Sequence, residues 1–273
     1  MKKILYVIFI LYVLANNACT QSQYIQNENN EGKKIMKYKK WTTKMNGIEM
    51  IQILDKRCNC FIVKNDNFCV LIDTSINYER KILSDHLNDL NVKNIHSILL
   101  THSHFDHTGN IQFLQKQYNS NVFIHSLEVQ FLKNGYTYLP KGTIPITKLF
   151  TSIIGNRIMC FQKFHACDSD KIFTENMFYD IIPDDLKIEM LQTPGHSIGS
   201  VCFIVDNEIA IVGDTMVNNA GNIYPPFADF PENLLESWKK LLETNCRLFL
   251  PAHGKEIEKY ILDNNYSKIN EKN

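Results

Sequence analysis

Ile95-His96-Ser97-Ile98-Leu99-Leu100-Thr101-His102-Ser103-His104-Phe105-Asp106-His107, running on into Thr108-Gly109-Asn110, is the stretch on which the reading of this chain turns. Ile95 to Leu100 is an apolar run of strand length and reads as a buried strand. Beyond Asn110, Ile111, Phe113, Leu114 and Tyr118 recur at helical spacing. The polar residues between therefore lie on a loop joining a buried strand to a helix, where α/β proteins carry reactive groups. Two histidines two apart on an extended loop, His102 and His104, can close on one cation from the same side. Asp106 and His107 then point to a second position. Imidazole and carboxylate are what zinc takes from a protein without cysteine.

Working outward, three more candidates stand at the ends of apolar runs, each beside a glycine. They are His196 in Thr193-Pro194-Gly195-His196-Ser197, Asp214 in Gly213-Asp214-Thr215, and His253 in Pro251-Ala252-His253-Gly254. Glycine lets the backbone turn sharply and approach a ligand closely. The surrounding pattern predicts strands over Ile48–Leu54, Cys60–Lys64, Phe68–Asp73, Val122–Ile124, Ile188–Leu191, Ser200–Val205, Glu208–Val212 and Arg247–Leu250. It predicts helices over Tyr78–Leu90, from an N-cap at Ser126 to Lys133, and over Pro231–Glu243, then a short terminal helix and a polar tail at 263–273. Asp206-Asn207 suits a hairpin turn. His86, His96 and His165 fall outside any motif and read as surface or packing residues, and His125, closing a strand, as structural.

In these motifs and their order the chain, from about Trp41 to Tyr260, resembles the metallo-β-lactamase superfamily. The resemblance implies an α/β (α+β) fold, a four-layer αββα sandwich with metals at one edge. It implies that His102, His104 and His196 bind a first metal, that Asp106, His107 and His253 bind a second, and that Asp214 bridges both. Asp73 matches a structural aspartate that supports the metal loop. Two Zn²⁺, with Fe or Mn as other candidates, would hold a hydroxide that attacks an ester, thioester or lactone, and Asp106 would orient it and carry its proton. Departures from the family's patterns narrow the reading. Lactam-hydrolysing enzymes with a cysteine ligand carry it where Asp214 stands, which disfavours a secreted β-lactam hydrolase. Flavodiiron-type reductases have Glu where His104 stands. Glyoxalase II-type thioesterases share all seven ligands, but only about twenty residues follow His253, short of their glutathione-binding extension. Quorum-signal lactonases use a tyrosine soon after the bridging aspartate. Here Val217 lies three residues on, and Tyr224 is the nearest tyrosine and a catalytic candidate. The nearest resemblance is to small glyoxylase-like hydrolases acting on small molecules. An iron-dependent persulfide-type oxygenase and a non-catalytic metal-binding surface module are the alternatives from other classes.

The N-terminus has its own logic. Lys2 and Lys3 precede an apolar run from Ile4 to Ala15, about 18 Å long as a helix and too short to span a bilayer. Residues 1–18 read as a signal peptide, and Ala18-Cys19 resembles the end of a lipobox, with Cys19 as the lipidated first mature residue. The polar residues 19–40 read as a flexible tether, and 41–262 as the domain. The expected location is the cell envelope, as a lipoprotein or an exported protein. Within the domain, an insertion at about 134–180 carries an aromatic-rich patch and reads either as a lid or as a segment packed on the domain; its residues 136–180, like the N-terminal lipid, are candidates for membrane contact. Lys plus Arg and Asp plus Glu are equal at 29 each, and no basic block marks a nucleic-acid partner. Of eight cysteines, Cys69 and Cys202 sit in strand-like runs as core residues, Cys58-Asn59-Cys60 is too tight for a zinc knuckle, and Cys160 with Cys167 is a candidate disulfide.

Overall fold

A computed structural model describes residues 38–55, 57–153, 163–169, 171–173 and 184–271. The expected signal peptide, Cys19, most of the tether and Cys160 lie outside them. Strands β1 (Lys39–Thr42), β2 (Glu49–Leu54), β3 (Cys60–Lys64) and β4 (Cys69–Ile72) form an antiparallel meander. Helix α1 (Arg80–Asp89) then crosses to β5 (Ser97–Leu99), which pairs parallel with β4. Helices α2 (Phe105–Thr108) and α3 (Ile111–Tyr118) lead to β6 (Asn121–His125), also parallel. Helices α4 (Val129–Asn134) and α5 (Pro145–Ile153) precede β7 (Lys171–Phe173), which completes a seven-stranded sheet. The second sheet contains β8 (Ile188–Gln192), β9 (Val201–Val205), β10 (Ile209–Gly213), β11 (Leu248–Pro251) and β12 (Ile257–Glu258). Helix α6 (Pro231–Glu243) connects β10 to β11, and α7 (Lys259–Asn270) follows β12.

The two-residue period of the strands divides the apolar residues between three layers. Met50, Phe61, Val63, Leu99 and Phe123 of the first sheet face Val201, Phe203, Val205, Ile211 and Leu250 of the second. Their neighbours Ile51, Ile53, Ile62, Leu71 and Ile98 point outward against Leu83, Leu87, Ile111 and Leu114 of the helices. On the opposite outer face, Cys202, Ile204, Val212 and Phe249 meet Trp238, Leu241 and Leu262. The result is the expected αββα sandwich.

Several local readings need correction. Ser126 does not cap the next helix: it lies inside a 3-10 turn, Ser126–Glu128, and the preceding His125 accepts the Leu127 N–H. A ring nitrogen does the work that the sequence assigned to a hydroxyl. Residues 263–270, read as a polar tail, continue α7, because Tyr266 and Ile269 find apolar cover on the second sheet's outer layer. The tether gives way to strand at Lys39, two residues early, where pairing with β2 satisfies the backbone. The described part of the insertion includes α5, whose Ile146, Leu149 and Ile153 are exposed, and β7. The hairpin at Asp206-Asn207 forms as read, with φ of 55° and 52°, the left-handed pair that a type I′ turn requires.

Candidate metal centre

Topology brings the scattered ligand candidates to one edge. Strands β8 and β10 are each antiparallel to β9, so they run in the same direction, and β11 is parallel to β10. Their C-terminal ends therefore lie side by side, and His196, Asp214 and His253 follow those ends. The loop after β5 reaches the same edge from the other sheet: Val201 N–H donates to the Thr101 carbonyl at 3.0 Å. Gly213 makes this approach feasible. It has φ of 50°, and a Cβ there would lie 2.7 Å from the Thr101 side chain.

The Nε2 atoms of His102 and His196 each lie 2.9 Å from Nδ1 of His104, so three ring nitrogens converge on one point. Beside them, His107 Nε2 lies 3.9 Å from Asp106 Oδ1, and His253 Nε2 lies 3.4 Å from Asp106 Oδ2. Asp214 stands between the groups. Its Oδ2 is 3.3 Å from His196 Nε2, while its Oδ1 is 3.5 Å from His107 Nε2 and 3.4 Å from His253 Nε2. That Oδ1 is buried with no hydrogen-bond partner. A buried, unpartnered carboxylate oxygen is costly unless a cation compensates it. Each of the groups His102/His104/His196, Asp106/His107/His253 and His102/His107/Asp214 brings its donor atoms within 4.8 Å of one another. A donor set of imidazole and carboxylate fits zinc.

The ring nitrogens facing away from the centre are also engaged. His107 Nδ1 lies 2.8 Å from Asp73 Oδ2, and Asp73 Oδ1 accepts the Thr101 N–H at 2.9 Å. His196 Nδ1 lies 2.9 Å from the Phe227 carbonyl. These contacts fix ring orientation and tautomer. Burial drives the His102 imidazole well below its ordinary range, and burial together with the neighbouring His196 takes His104 to about 3. Both rings are thus neutral electron-pair donors. For His253, burial acts downward but the carboxylates of Asp214 and Asp106 outweigh it, to about 10. For Asp106, burial acts upward but His107 and His253 outweigh it, to about 2.

All seven ligand candidates are brought together, and Tyr224 is not among them. Its ring packs edge-on against Trp238 at 5.8 Å, and its hydroxyl donates to the Pro231 carbonyl at 3.4 Å. A different tyrosine, Tyr138, lines a small recess with His104, Phe131, Ile198 and Asp229. Burial and the adjoining Asp229 carboxylate push the Tyr138 phenol up to about 12, so it stays a hydrogen-bond donor. Its place within the insertion carried no motif to find it by. Asn59 was equally hidden. Its side chain donates to the carbonyls of Pro251 at 2.7 Å and Gly254 at 2.9 Å, bracketing His253. Cys58 Sγ sits 3.7 Å from His107 Nδ1 and forms a further cluster with Asp73 and His107. Of the histidines outside the cluster, His86 Nδ1 meets the Ile53 carbonyl, His96 accepts the Cys69 N–H at 3.2 Å, and His165 is exposed.

The family model described as the metallo-beta-lactamase superfamily matches residues 54–253. A probable metallo-hydrolase of Methanocaldococcus jannaschii is 29% identical over 199 residues, 68% of this chain and 82% of that protein. A probable polyketide biosynthesis zinc-dependent hydrolase of Bacillus velezensis is 23% identical over 222 residues, 78% of this chain and 83% of that protein. Among solved structures, a subclass B3 metallo-beta-lactamase of Bradyrhizobium japonicum superposes with a TM-score of 0.62 at 17% identity, covering 84% of this chain and 90% of that one, a likeness of fold.

Proposed function

Because this chain belongs to the metallo-beta-lactamase superfamily, we propose that it is a glyoxylase-like hydrolase with a two-zinc centre, acting on an ester, thioester or lactone. The fold and the clustered His and Asp residues are those of a metallo-hydrolase. The observation that carries the two-ion reading is Asp214, one oxygen toward His196 and the other, buried and unpartnered, toward His107 and His253. In this reading His102, His104 and His196 would hold one ion, Asp106, His107 and His253 the other, and Asp214 would serve both. When bound, such a pair lowers the pKa of water toward neutrality and polarises the substrate oxygen. Asp106, partly exposed, would accept a proton from the attacking water and return it to the leaving group. Tyr138 keeps its hydroxyl hydrogen beside Asp229 in the recess that His104 borders. Phe131 and Ile198 there favour an acyl group. The likeness to a probable zinc-dependent hydrolase of Bacillus velezensis supports the choice of metal.

The test joins metal quantification to a hydrolysis screen over thioesters, lactones, esters of graded acyl length, β-lactams and phosphodiesters. About two zinc per chain is expected, with carbonyl esters or thioesters turned over and activity lost on chelation. One iron per chain, or full activity after metal depletion, sinks the proposal.

Export to the cell envelope, with lipid on Cys19, rests on Lys2 to Cys19 of the sequence. Among the described residues no helix is long and apolar enough to cross a membrane. Cys19→Ala is expected to move the full-length protein from the membrane fraction to the soluble fraction of an expressing cell. Unchanged partitioning would show that the lipid is not its anchor.

A further inference from the structure

We propose that Glu128 is a positioning residue for the triad of His102, His104 and His196, clamping together the two loops that supply those rings. Glu128 ends the 3-10 turn after β6 and is only 1% exposed. Its Oε2 accepts from both the backbone N–H and the hydroxyl of Ser103, the residue between His102 and His104. Its Oε1 accepts the Ser197 hydroxyl at 2.7 Å and the Gly199 N–H at 2.9 Å, just beyond His196. One buried carboxylate thus binds two segments 94 residues apart, between Ser103 and Ser197, and these segments carry the three rings whose nitrogens converge. Gly199 is built for this contact. A Cβ there would lie 2.6 Å from Glu128 Cγ and 2.9 Å from His125 Nδ1.

The clamp requires a carboxylate. Serine hydroxyls can rotate and accept, but the N–H groups of Ser103 and Gly199 can only donate, and they address different oxygens of Glu128. A glutamine in the same place would set its NH₂ against one of those N–H groups whichever way it turned. A buried donor would then lack an acceptor, and one loop would shift away from the other. Partners of this kind behind metal-binding rings typically change metal affinity about 10–100-fold. Glu128 would do for the triad what Asp73 does for His107, without touching a ring.

The inference rests on the metal-binding reading above, and one experiment separates their failures. Metal-stripped full-length wild type and Glu128→Gln are titrated with Zn²⁺ against a chromophoric chelator, and with Co²⁺ while the visible spectrum is recorded. Wild type is expected to bind in two steps. In Glu128→Gln one step weakens about 10–100-fold with an altered Co²⁺ spectrum, the other stays within about threefold, and circular dichroism is unchanged. Wild type taking up no metal overturns the functional reading itself. Wild type binding normally while Glu128→Gln matches it at both steps overturns the clamp alone. Equal weakening at both steps also overturns it, since that marks general loosening. Should Glu128→Gln fail to fold, Ser197→Ala, which removes one of four donors, is expected to weaken the same step about fivefold. Unchanged affinity there overturns the proposal.

Discussion

Asp214→Ala is expected to lose metal at both positions together, leaving well under one zinc per chain after dialysis, and to abolish any turnover found. The two oxygens of this carboxylate face different histidine groups, with separations of 3.3–3.5 Å. No other carboxylate among the described residues faces both His196 and His253. Partners one bond further from the metal change affinity about 10–100-fold, so loss of a shared ligand should exceed about 100-fold. Asp214→Asn keeps the shape and removes the charge, and should fall between alanine and wild type. Metal analysis with chelator competition reads the effect. A variant retaining two zinc per chain would show that Asp214 is not shared.

Trp238→Ala should produce the largest loss of stability. Trp238 is fully buried on α6, packs among Cys202, Val212, Phe249 and Leu262, and donates Nε1–H to the Thr215 carbonyl at 2.8 Å. Removing a buried tryptophan side chain costs about 3–5 kcal/mol, and the lost hydrogen bond adds about 1 kcal/mol. Ordinary domains have only about 5–15 kcal/mol in total, so the variant should be marginal at 37 °C. Trp238→Phe, which keeps the apolar ring but strands the carbonyl, should cost about 1–3 kcal/mol. Urea unfolding of the metal-free proteins measures both. Because Thr215 adjoins Asp214, the alanine variant should also bind metal more weakly than its folded fraction explains. A Trp238→Ala midpoint equal to wild type would contradict the packing described for the outer layer.

Strands and ligands were legible in the chain because each obeys a local rule. Met50, Phe61 and Phe203 alternate with Ile51, Ile62 and Cys202, so the face each would occupy follows from a two-residue period. His102, His104, Asp106 and His107 declare themselves by spacing alone, and His196, Asp214 and His253 by following an apolar run beside a glycine. Helix α6 begins at Pro231, a position where proline is already shaped for a first turn, and runs to Glu243 as its spacing predicts. The terminal helix was cut short for the opposite reason. Asp263, Asn264 and Asn265 look like tail composition, and only the apolar surface of the second sheet makes Tyr266 and Ile269 worth ordering.

The sequence alone therefore determined which residues can serve as metal ligands and on which strand ends they stand. Donor chemistry and strand periodicity are properties of neighbours in the chain. Only the tertiary structure decided that these ends share one edge, that Asp214 faces both histidine groups, and that Tyr138 rather than Tyr224 borders the centre. It alone brought Asn59 to the His253 loop and Glu128 to the loops of His104 and His196. Those contacts depend on hydrogen bonds between segments far apart in sequence. An asparagine or glutamate carries no sign of a distant partner until the two sheets have packed.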